Sequence, residues 1–138
     1  MAKEMAQQPD VLSGLVARRS RPLRELRAAI PSDTAGIILV ARGSSDHAAI
    51  FGRYILELAT GLPVALAAPS LHTLYDGRPR CEGFLAVGVS QSGRTPEIVT
   101  VLERLIAGGA QAVAVTNEPS SPLGRSASVV VELGAGDE

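Results

Sequence analysis

The 138-residue chain has no Trp, one Cys, two His and only 3% aromatic residues. A core without large rings must be filled by Ala, Val, Leu and Ile, which suits helices packed closely on a parallel sheet. The lone Cys81 excludes a disulfide framework and a Cys-based metal site. His47 and His72 have no second ligand at metal-binding spacing, so no metal is expected. An excess of one charge is also lacking. The 13 Lys and Arg nearly balance 14 Asp and Glu, for a net charge of −1. That balance gives no reason to expect nucleic acid or a membrane surface as a partner. No signal peptide or bilayer-length apolar run is present, so a cytoplasmic protein is expected. The dinucleotide fingerprint GxGxxG and the nucleotide loop GxxxxGK[ST] are both missing, since Gly88 and Gly93 lack the required glycine spacing. No cofactor is expected.

What is there centres on residues 87–98. An apolar run, residues 84–89, has the character of a strand buried on both faces. It stops at Ser90, Gln91, Ser92 and Gly93. Thr95, Pro96 and Glu97 then mark a helix start: a hydroxyl N-cap, Pro in the first turn and an acid on the positive end of the dipole. One hydroxyl would suffice for a cap. Three hydroxyls and a Gln within six residues point instead to a cradle for an anion such as phosphate, built from hydroxyls and backbone N–H groups.

In chain order, residues 10–30 have the spacing of a helix, with Val11, Leu12, Leu15, Val16, Leu23, Leu26 and Ile30 apolar, Pro9 in its first turn and Pro22 kinking or dividing it. Its Arg18, Arg19, Arg21, Arg24 and Arg27 read as a solvated face. Residues 36–41 are the first core strand. A second hydroxyl-rich loop, Arg42 to Asp46, leads to a helix over residues 47–59 with Ile50, Tyr54, Ile55 and Leu58 on its buried face and Asp46 as its cap. A short strand follows at 64–67, then a stretch at 69–80 that is irregular or partly helical, with a turn at Asp76 and Gly77. The central helix ends near Gly108 and Gly109. Residues 111–116 and 128–133 are the last strands, separated by a polar loop with one helical turn at 122–125.

Five apolar strands alternating with helices imply a three-layer αβα sandwich on a five-stranded parallel sheet. Right-handed crossovers leave two orders, flavodoxin-like 2-1-3-4-5 and Rossmann-like 3-2-1-4-5. The first makes strands one and three neighbours and opens both hydroxyl-rich loops onto one crevice. That order is expected.

These residues carry a resemblance. Ser90-Gln-Ser-Gly-Arg-Thr95 resembles the SQSGxT phosphosugar loop of sugar isomerase (SIS) domains, and Arg42-Gly-Ser-Ser-Asp-His47 their G-[TS]-S-x-H segment. Lys3-Glu-Met-Ala-Gln-Gln-Pro9 is similar to the opening of the isomerase half of glucosamine–fructose-6-phosphate aminotransferases. The resemblance implies a hexose-phosphate or amino-sugar-phosphate ligand. Ser90, Gln91, Ser92 and Thr95 would hold the phosphate, Ser44 and Ser45 would meet sugar hydroxyls, and Arg94, at the loop's variable position, would face solvent. Residues 32–138 would form the phosphosugar-binding domain, after an N-terminal helical segment at 1–31.

Departures from the family pattern qualify the activity. The sequence opens with Met1 and Ala2, so no glutaminase domain with an N-terminal Cys is expected ahead of the SIS region, and Ala68 to Leu71 resembles a glutaminase-free, deaminase-like branch. Tandem members of the family place a catalytic Glu and His in a second SIS domain. Residues 134–138 resemble the segment leading onward, so the chain is expected to be the first half of such a tandem. The catalytic residue is not identified. The titratable groups within reach are His47 and Glu138, the latter at an unanchored terminus. The expected role is the sugar-phosphate-binding part of an aldose–ketose isomerase or deaminase of amino-sugar metabolism, the alternative a regulatory module sensing a sugar phosphate. A homodimer, or pairing with a second SIS domain, is expected through residues 10–30 or 47–59.

Overall fold

The computed structural model describes residues 2–135. Two helices open the chain, α1 (Ala2–Arg18) and α2 (Ser20–Ala29). Strand β1 (Gly36–Val40), helix α3 (Ser44–Thr60), strand β2 (Val64–Leu66) and the short α4 (Pro69–Thr73) follow. Then come β3 (Phe84–Val89), α5 (Pro96–Ala107), β4 (Gln111–Thr116), α6 (Pro122–Ser126) and β5 (Val129–Glu132). The sheet is parallel throughout, in the order β2-β1-β3-β4-β5. This is the flavodoxin-like order. β3 lies at its centre, with Val87 facing Leu39 on one side and Val113 on the other.

Each face of the sheet carries its own core, as continuous apolar strands require. On one face, Ile98, Val101, Leu102 and Leu105 of α5 pack with Leu123 of α6 against Val40, Ala86 and Ala114. On the other, Ala49 and Leu56 of α3 and Leu26, Ala29 and Ile30 of the α2 end pack against Ile37, Leu39, Leu85, Val113 and Val129. Alanines at the strand centres let these aliphatic helices approach closely without aromatic filler.

Three expectations need correction. The first helix begins at Ala2 and runs through Pro9 rather than starting there. Strong helix formers before Pro9 outweigh the one hydrogen bond that it removes. The break falls at Arg19, three residues before Pro22, where a proline ring crowds the preceding turn. Leu12 and Val16 of α1 and Leu23 of α2, read as apolar packing positions, are exposed; α2 turns Leu26 and Ala29 toward the sheet instead. The largest change concerns α3. Ile50, Tyr54, Ile55 and Leu58 point outward, and the buried positions are Ala49 with half-buried Gly52 and Leu56. The helix is apolar on more than one side, and the small side chains are the ones that fit against the sheet.

Candidate functional site

β1 and β3 are hydrogen-bonded neighbours, with Val40 opposite Gly88, so their C-terminal ends open at one edge of the sheet. From there the chain turns to α3 on one face and to α5 on the other. A crevice between two such diverging connections is the usual ligand position of an open α/β sheet.

The loop after β3 is organised from inside. Ser90 is buried, and its Oγ accepts the Gly93 N–H at 3.2 Å and lies 3.4 Å from Thr95 Oγ1. Ser92 is exposed, with its Oγ accepting the Arg94 N–H at 3.3 Å, and Gln91 and Arg94 are also exposed. Thr95 occupies the N-cap position of α5, but its hydroxyl makes no cap hydrogen bond. That corrects the reading of Thr95 as a side-chain cap. Its hydroxyl stands with that of Ser90 ahead of the helix N-terminus, whose first-turn N–H groups carry partial positive charge.

Two residues that hold this loop escaped the sequence reading. Thr116 and Ser121 are fully buried polar side chains between β4 and α6. Thr116 Oγ1 donates to the Gln91 carbonyl at 3.0 Å, and the Asn117 N–H donates to that same oxygen at 2.9 Å. Ser121 caps α6 by accepting the Gly124 N–H at 3.2 Å. The Leu123 N–H donates to the Gly93 carbonyl at 3.1 Å. Gly93 itself has φ of 62° and no room for a side chain, since a Cβ would overlap Ser121 Oγ and lie 2.8 Å from Thr116 Oγ1. The signal was only a polar loop at 117–121, and its role depends on a neighbouring strand.

The loop after β1 reaches the same crevice. Gly43 precedes α3 at φ 64°, and Ser44, Ser45 and Asp46 form the first turn of the helix. Asp46 is therefore not the cap. Its N–H donates to the Gly43 carbonyl at 3.1 Å. Ser44 and His47 are exposed and Ser45 is half-buried. Glu138 lies outside the described residues. An ion pair ties the loop after β1 to the first turn of α5: Arg42 Nε donates to Glu97 Oε2 at 3.0 Å. The sequence reading gave Glu97 only to the helix dipole. The fold makes it a carboxylate at the crevice.

Other titratable groups lie elsewhere. Cys81 is buried, and burial followed by the charge of Glu82 pushes its thiol up, away from a reactive thiolate. His72 of α4 is buried with Nδ1 unpartnered, and burial followed by the Arg104 cation holds its imidazole below the ordinary value. A groove of about 1060 Å³ between the α1–α2 corner and β5, lined by Arg18, Arg24 and Glu132 among others, is separate from Ser90 and Thr95. Among the described residues, no cluster of three or more His, Cys, Asp or Glu could hold a metal. No helix among them is long and apolar enough to cross a membrane.

Comparison with known proteins bears on the family and the fold. The family model described as "SIS domain" matches residues 32–138. A glutamine–fructose-6-phosphate aminotransferase (isomerizing) from Gloeobacter violaceus is 32% identical over 143 residues, covering 100% of this chain and 23% of the relative. The chain thus spans about a quarter of the length of that curated relative. Among solved structures, a candidate phosphosugar isomerase from Silicibacter pomeroyi superimposes with a TM-score of 0.91 at 35% identity, covering 99% of this chain and 42% of the other. The C-terminal domain of the Francisella tularensis glucosamine-fructose-6-phosphate aminotransferase gives a TM-score of 0.86 at 27% identity, covering 100% and 40%.

Proposed function

The chain belongs to the SIS domain family, and from that premise we propose that its crevice binds a hexose 6-phosphate or amino-hexose 6-phosphate. The observation that carries the reading is the pair of hydroxyls ahead of α5. Ser90 and Thr95 stand 3.4 Å apart, and Thr95 is not spent on capping. Ser90, Ser92, Thr95 and Gln91 then recognise a phosphate of charge near −2 by neutral donors on a helix dipole. Ser44 and Ser45, on the facing loop, meet sugar hydroxyls. In this role residues 32–138 are the phosphosugar-binding unit and residues 1–31 a helical lead-in. The unit serves a cytoplasmic aldose–ketose isomerase or deaminase of amino-sugar metabolism.

Assembly is part of the proposal. Phe51, Tyr54 and Leu58 of α3 lie exposed on the side of the helix away from the sheet. Exposed apolar patches of this kind favour a partner. We assign this face to a second copy of the chain or to a second SIS domain.

Calorimetry on the Ser92→Ala variant tests the ligand reading. Ser92 is exposed, so its loss leaves folding nearly intact. Losing one hydrogen bond to a charged group weakens hexose 6-phosphate binding by about 1.5–3 kcal/mol. Equal affinity of the unaltered chain for the phosphorylated and unphosphorylated sugar would overturn the assignment.

A further inference from the structure

The ion pair between Arg42 and Glu97, 55 positions apart in sequence, joins the loop after β1 to the first turn of α5. Neither partner is held by burial, since their side chains are 51% and 33% exposed. An exposed pair of long side chains contributes little to stability, because solvent screening and lost rotamer freedom offset the attraction. Its consequence is therefore positional and electrostatic. Glu97 sits in the first turn of α5, where an acid favours the helix dipole. The same turn is where a phosphate dianion would seat, and an uncompensated carboxylate there would repel it. Arg42 cancels that charge through Nε. Its other guanidinium N–H groups have no acceptor among the described residues.

We propose that Arg42 is a positioning residue of the phosphosugar site: it neutralises Glu97 beside the phosphate and fixes the loop of Ser44 and Ser45 at a set distance from the cradle. This rests on the phosphosugar reading above. It makes affinity for phosphate depend on the sign of charge at positions 42 and 97. Affinity for the sugar depends on the link between the loop after β1 and α5.

The test titrates the full chain, at low salt, with inorganic phosphate and with fructose 6-phosphate. Arg42→Ala should weaken both ligands roughly fivefold, the effect of one nearby uncompensated charge. Glu97→Gln should tighten inorganic phosphate binding, a gain that a merely structural pair would not give. The double variant Arg42→Ala/Glu97→Gln should recover affinity for inorganic phosphate. It should not recover the preference for fructose 6-phosphate over inorganic phosphate. Arg42→Lys, which keeps the charge, should retain most phosphate affinity, and it decides the matter if Arg42→Ala fails to fold. Unaltered affinities in Arg42→Ala and Glu97→Gln, with binding lost in Ser92→Ala, would overturn the clasp and leave the phosphosugar reading standing. An unaltered chain that binds neither ligand would overturn both.

Discussion

Gly93 and Ser121 are packed so tightly that a single added methyl at Gly93 would overlap the Ser121 hydroxyl. Gly93 is also in the left-handed region, with φ of 62°. Gly93→Ala therefore combines backbone strain with a steric clash in a buried spot. We predict a loss of about 2–4 kcal/mol in denaturant unfolding, together with loss of ligand binding. A variant as stable as the original would mean that the 90–95 loop can adopt another path.

His72 makes stability depend on pH. Its native imidazole is held below the ordinary value by burial and then by Arg104, so the unfolded chain takes up a proton first. The unfolded state binds more protons between that depressed value and about 6.5, so stability rises with pH across this window. The contribution is fully present above about pH 6.5 and is lost as pH falls through the window. Asp76, held low chiefly by Arg104 and then by Arg78, titrates below it. His72→Leu should flatten the profile in denaturant melts just below about pH 6.5. A wild-type profile already flat there would contradict the assignment.

The outer face of α3 gives a prediction about assembly. Leu58 is 84% exposed, so it adds little to the core of the chain itself. Leu58→Glu should leave the melting temperature of the monomer fold nearly unchanged while shifting sedimentation toward the monomer. Light scattering of the unaltered chain as a clean monomer at high concentration would count against a paired α3 face.

Binding and turnover should separate. Proton transfer between C1 and C2 of an open-chain sugar needs a base within hydrogen-bond reach, roughly 3 Å from the proton it removes. Around the described crevice, His47 is exposed and Glu97 is already engaged by Arg42. The 138-residue chain should bind fructose 6-phosphate or glucosamine 6-phosphate without measurable isomerase or deaminase activity, as followed by a coupled assay. Robust turnover abolished by His47→Ala would make His47 the catalytic base.

The sequence by itself determined the strands, the helix ends at Gly61 and Gly108, and a parallel sheet in one of two strand orders, between which the two hydroxyl-rich loops chose. These are local matters: apolar runs need cover on both faces, glycine ends helices, and right-handed crossovers leave few topologies. It also singled out Ser90, Ser92 and Thr95, because hydroxyls crowded before a helix exceed what capping needs. Only the tertiary structure decided which side of α3 is buried. Periodicity reports that apolar stripes exist, and α3 has more than one. The sheet accepts Ala49 and Leu56 and leaves Tyr54 and Leu58 outside. The same holds for Thr116, Ser121 and the pairing of Arg42 with Glu97. Their partners lie on other strands and loops, and no spacing along the chain records a distance across a sheet.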